Sequence, residues 1–92
     1  MYKEIIESSL KDIPKTTVYL ENFCQYKMRN TRVEISVRKF TNADFGECYA
    51  FKANMDGRPL LSQGAPMGTT EYYYFRKLYI AMQDKYFQQT ER

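Results

Sequence analysis

Chemistry in this chain would have to come from carboxylates, thiols, hydroxyls or cations, because the sequence has no histidine. That removes the commonest general base and the commonest transition-metal ligand. The carboxylates that could work as an acid–base pair are Asp44, Glu47 and Asp56. All three fall in or beside segments that read as turns, where acidic residues are expected on structural grounds alone. The two cysteines, Cys24 and Cys48, cannot close a tetrahedral zinc site by themselves. Glu47 precedes Cys48, but neighbours on a strand point to opposite faces, so that carboxylate would not activate the thiol. There is no Gly-x-Ser-x-Gly nucleophile elbow. The segment 64–70, GAPMGTT, leads into a helix N-terminus and offers amides and hydroxyls to an anion. It lacks the Gly-Lys-Ser/Thr ending of a nucleotide-binding loop. These residues predict a protein that is not an enzyme and that holds no cofactor and no metal.

The element that must position everything else is the stretch 69–89, the longest without Gly or Pro. Its periodicity predicts a helix whose apolar stripe is Tyr72, Phe75, Leu78, Tyr79, Met82 and Tyr86. A second row, Tyr73, Ile80 and Phe87, recurs every seven residues on the flank, with Arg76 and Gln83 between the rows. This row either packs on the first helix through Ile6 and Leu10 or forms a face for another molecule. Thr69 or Thr70 can cap the helix, and Glu71 suits its positive first turn.

Ahead of it, residues 2–13 read as a short amphipathic helix stopped by Pro14. Residues 16–28 open with Thr-Thr-Val-Tyr and read as a strand in preference to a helix. Its inward side would be Val18, Leu20, Cys24, Tyr26 and Met28. Residues 32–40 alternate cleanly, with Val33, Ile35 and Val37 on one side and Arg32, Glu34, Ser36 and Arg38 on the other. A turn over 41–46 leads to a strand over 47–55, with Tyr49, Phe51, Ala53 and Met55 on one face. Asp56-Gly57 signals a hairpin, returning as a short edge strand over 58–62 that Pro59 keeps from the sheet interior. Residues 63–68 read as a flexible connection.

The expected fold is α+β: an antiparallel three- to four-stranded meander with a short N-terminal and a long C-terminal helix, in the order α-β-β-β-(β)-α. Ninety-two residues make one domain, 1–92. The element order is similar to that of double-stranded-RNA-binding domains. Where those domains carry a lysine cluster, this chain has Thr69-Thr70-Glu71-Tyr72-Tyr73-Tyr74.

The net charge of +3 and pI near 8.9 fall short of an electrostatically driven DNA binder. The excess is local: Lys27, Arg29, Arg32, Arg38 and Lys39 face one carboxylate, Glu34, across 27–39. With Tyr26 and Phe40 beside them, these cations could follow a phosphate backbone or meet an acidic protein surface. The charged opening MYKEIIESSLKD is no secretory leader, and no run approaches the apolar length of a membrane span. The expected setting is cytoplasmic, with both thiols reduced.

The leading expectation is a tyrosine-rich, non-catalytic binding protein that contacts another protein, or itself, through Tyr73, Arg76, Ile80, Gln83 and Phe87. Inhibitors and accessory factors of phage and mobile elements share this size and composition. The alternative is a nucleic-acid-binding module using the 27–39 cations and the 64–70 segment. A third reading, a ribonuclease-type toxin, would need Arg, Lys and Tyr to do acid–base work without histidine.

Overall fold

The computed structural model describes residues 2–11, 13–14, 16–28 and 32–90, and of residues 2, 89 and 90 the backbone only. A helix α1 (Tyr2–Lys11) is followed by strands β1 (Val18–Leu20), β2 (Phe23–Lys27), β3 (Val33–Asn42), β4 (Gly46–Met55) and β5 (Arg58–Pro66), then by helix α2 (Thr70–Thr90). The strands form one antiparallel sheet in the order β1-β2-β3-β4-β5. The fold is α+β as expected, with five strands where three to four and a possible further one were read.

Period-two alternation sorts the sheet into two faces. Cys24, Tyr26, Ile35, Val37, Tyr49, Phe51, Ala53 and Ala65 bury one face. Against them α2 lays Tyr72, Phe75, Leu78, Tyr79 and Met82, and α1 contributes Ile6 to the same core. Both helices therefore cover one face, and among the described residues neither helix covers the other, here called the bare face. At its centre, the Phe51 and Phe75 rings stack with centroids 5.3 Å apart and planes 14° from parallel.

The turns follow from local chemistry. Asp56 and Gly57 both take positive φ, 52° and 82°, the geometry that matches a two-residue hairpin to strand twist. Asn42 Oδ1 accepts from the amides of Asp44 and Phe45, and Gly46 follows at φ 77° to start β4. Thr17 turns the chain from α1 towards β1, its amide and hydroxyl both donating to Pro14 O.

The structure corrects three expectations. The segment 16–28 is extended but folds back on itself: Glu21-Asn22 make a turn with Asn22 at φ 64°, and Leu20 pairs with Phe23. The reversal leaves Val18 and Leu20 outward, 54% and 71% exposed, and turns Tyr19 inward to α2. β5 runs to Pro66, so residues 63–66 are strand, and only Met67, Gly68 and Thr69 separate it from α2. β3 likewise extends to Asn42, shortening the turn expected over 41–46. With five strands, the chain also departs from the three-stranded order of the RNA-binding domains.

Candidate functional site

α2 is the element that displays the side chains of interest. Thr69 caps it: its Oγ1 accepts from the Tyr72 amide at 3.2 Å and donates to Pro66 O at 2.8 Å. The capping hydroxyl is thus committed within its own chain. Past the cap, the core stripe faces the sheet and leaves two flanks. α1 takes one flank, where Leu10, Lys11 and Ile13 border a shallow cleft with Ala81, Asp84, Lys85 and Gln88.

Tyr73, Arg76, Ile80, Gln83 and Phe87 lie on the other flank. The row therefore does not pack on α1, and Ile6 instead joins the common core. Seven residues fall about 20° short of two helical turns, so the row winds gradually towards the sheet. Tyr73 stands outermost at 61% exposed, its ring edge against Tyr72 with centroids 5.4 Å apart. Ile80 is half-buried and packs on the core. Phe87 is 42% exposed and reaches Tyr19 of β1, with centroids 5.5 Å apart. Arg76 is exposed and Gln83 half-buried. All five residues expected at a protein interface share this flank.

Among the described residues, the basic side chains do not converge. Arg38 stands on the bare sheet face over the Phe23 ring, at 5.9 Å from its centroid. Lys27 is exposed on that face opposite Glu34. Lys39, one residue beyond Arg38, points to the helix side and pairs with Glu47 at 3.2 Å. Arg32 pairs with Asp56 at 2.9 Å, about 20 Å along the strand direction from Arg38. Arg29 lies outside the described residues.

Nor do Glu47 and Asp56 converge. Glu47 and Asp56 sit at opposite ends of β4, about 30 Å apart. Glu47 is the most connected: besides Lys39, it accepts from Tyr72 OH at 3.1 Å and Tyr49 OH at 3.4 Å. The bond to Lys39 holds the Glu47 carboxyl below its ordinary pKa, against a smaller opposing effect of burial. Tyr72 moves upward through burial and its bond to Glu47. Tyr49 is pushed up to about 12, first by burial and then by the Glu47 charge. Phenols held in the neutral form near a fixed carboxylate make a clamp between β4 and the first turn of α2.

Cys24 is fully buried on the helix-covered face, and burial pushes its thiol up to about 12. Cys48 is buried on the opposite face, in register with Phe40. The two thiols are free and separated by the sheet. Among the described residues no three His, Cys, Asp or Glu side chains group as a metal site, and no helix is long and apolar enough to cross a membrane.

The clamp carries a first prediction. A carboxylate whose folded pKa is depressed contributes stability that is present above its unfolded pKa, about 4.3. That contribution is lost as pH falls through the lower folded value. Glu47→Gln should cost about 1 kcal/mol at neutral pH and flatten the acid side of the stability profile. Urea midpoints taken from neutral pH down to the acid limb check it. A variant that keeps the full wild-type acid dependence would remove Glu47 from that role.

Sequence reasoning missed the length of β5 but separated an outer face, with Arg32, Glu34, Ser36 and Arg38, from the apolar one. On the bare face Leu20, Phe23, Arg38, Ala50 and Gly64 form one cross-strand row. The alternation of 32–40 and 47–55 already separates this side from the core side. Compared with protein-family models, curated proteins and solved structures, the chain finds no match.

Proposed function

We propose that this chain is a non-catalytic binding protein that acts by occupying a surface on another protein with the exposed flank of α2. One observation carries the reading: the Tyr73–Ile80–Phe87 row lies on the flank that α1 leaves uncovered, with Tyr73 61% and Phe87 42% exposed. Interface cores favour large aromatics with Arg beside them, and Tyr73, Phe87 and Arg76 supply that combination. An inhibitor or accessory factor in the cytoplasm, of the kind mobile elements encode, is the role such a protein would fill. The dispersal of the cations, two of them already in ion pairs, favours this reading over a phosphate-tracking one.

Affinity capture from the native host, with and without nuclease, tests it. Tyr73→Glu should weaken the captured complex about tenfold or more. It places an acid near the helix N-terminus, where the fold tolerates one, so the melting temperature should stay near wild type. Ile80→Glu is a poorer probe because Ile80 is half-buried against the core. Lys77→Glu, on the exposed back of α2, should leave capture unchanged. A defined partner retained with shallow salt dependence supports protein contact. Loss on nuclease treatment, with steep salt dependence, would transfer the function to nucleic acid.

A further inference from the structure

β5 is an edge strand of nine residues, and among the described residues nothing pairs with its outer side. The opposite edge, β1, has three residues. Long edges are usually blunted by charge, proline, a bulge or a covering element. β5 has a bulge and Pro59 at its start and Pro66 at its end. Its middle carries no charge: no Asp, Glu, Lys or Arg stands between Arg58 and Glu71.

The prolines show which backbone groups face out. Proline has no amide hydrogen, so within a sheet it sits where that hydrogen would point away from the neighbouring strand. Pro66 pairs with Cys48, and the register is unbroken back to Leu61. Alternation then turns the amides and carbonyls of Gly64 and Ser62 outward as well. Both residues are exposed. The outer edge therefore offers two residues with donor and acceptor, spaced i, i+2 and bracketed by two residues with no donor.

We propose that two copies of this chain pair antiparallel along β5 about a twofold axis at Gln63, joining two five-stranded sheets into one. The pattern is complementary to itself: Ser62 of each copy meets Gly64 of the other, and each such pair exchanges two backbone bonds. A longer foreign strand would run past both prolines and find no donors there. The same register brings Leu60 of one copy beside the Pro66–Met67 end of the other. Leu60 and Met67 are 50% and 56% exposed in the single chain, so pairing covers apolar groups at both ends. The uncharged edge lets two copies of net charge +3 meet without local repulsion.

Sedimentation equilibrium tests the pairing. Wild-type mass should climb from 11.0 kDa towards twice that value with concentration. Ser62→Pro removes only an outward donor, so it should keep the wild-type melt while weakening the dimer at least about tenfold. Gln63→Lys places like charges on the axis and should give monomer. Mixed with Gln63→Glu it should restore a dimer containing one of each, which decides the matter even if the proline variant misfolds. Hydrogen exchange should show Ser62 and Gly64 amides slowing with concentration while Gln63 stays slow throughout. A wild-type mass of 11.0 kDa up to ~1 mM, or a Gln63→Lys chain that dimerises like wild type, overturns the proposal. Tyr73→Glu should dimerise normally, so this result and that for the α2 flank are read separately.

Discussion

Phe75→Ala is expected to lower the melting temperature by about 15 °C or more. Phe75 and Phe51 are both fully buried and stack between α2 and the middle of β4. Truncating a buried phenylalanine costs about 3–5 kcal/mol, because transfer energy is lost and a cavity remains. A domain of this size has a total stability of about 5–10 kcal/mol. Each kcal/mol moves the midpoint by about 4–8 °C. The site cannot collapse easily, since Leu78, Met82 and Ile35 of the same core are also fully buried. Phe75→Leu should recover most of the loss, because it keeps much of the volume. The double variant with Phe51→Ala should lose less than the sum of the two single losses, as the rings share one contact. Circular-dichroism melts and urea titrations of wild type and the four variants check this. A Phe75→Ala midpoint within a few degrees of wild type would mean that the helix is not held through this stack.

The second large effect is alkaline unfolding. Burial pushes Tyr49 from its ordinary 10.0 up to about 12 and Cys24 from 9.0 up to about 12. Tyr79 is moved up further, chiefly by burial and then by its bond to Tyr19. For each group the folded chain keeps a proton that the unfolded chain releases. The stability they contribute is fully present below the unfolded values of 9.0 to 10.0 and disappears as pH rises towards 12. Every retained proton steepens the decline by about 1.4 kcal/mol per pH unit. Three together should bring the midpoint of unfolding into that window without denaturant. Phenolate absorbance from the buried tyrosines should appear together with the loss of ellipticity. Tyr49→Phe should make the decline shallower. A urea midpoint unchanged between pH 9 and 12 would show that these groups titrate freely in the folded chain.

Much of this arrangement was legible in the amino-acid order, for reasons that are local. The stripe from Tyr72 to Met82 and the alternation from Val33 to Val37 each have one partner face, so a single period describes them. Asp56-Gly57 specifies its turn because both positions take positive φ with little strain. The Glu21-Asn22 reversal was hidden, since Asn in the left-handed region carries no mark that separates it from Asn on a strand. Missing the turn sent Val18 and Leu20 inward on paper, whereas the hairpin gives that side to Tyr19. β5 beyond Ser62 was hidden by composition: Gly, Ala and Pro read as loop, yet β4 is ten residues long and needs a neighbour of similar length. The flank residues of α2 were identified by spacing alone. What occupies the other flank depends on where α1 docks, a tertiary fact that no local period encodes.

Every neighbour in the sheet is also a neighbour in sequence. Four successive reversals can therefore zip the ladder in order, each closing only a short loop, and no segment has to thread between strands already joined. Such local wiring favours fast assembly. α2 comes after the whole sheet in the chain, so until it forms the aromatic face from Tyr49 to Ala53 lies open to water. That interval is when a chaperone would find the most to hold.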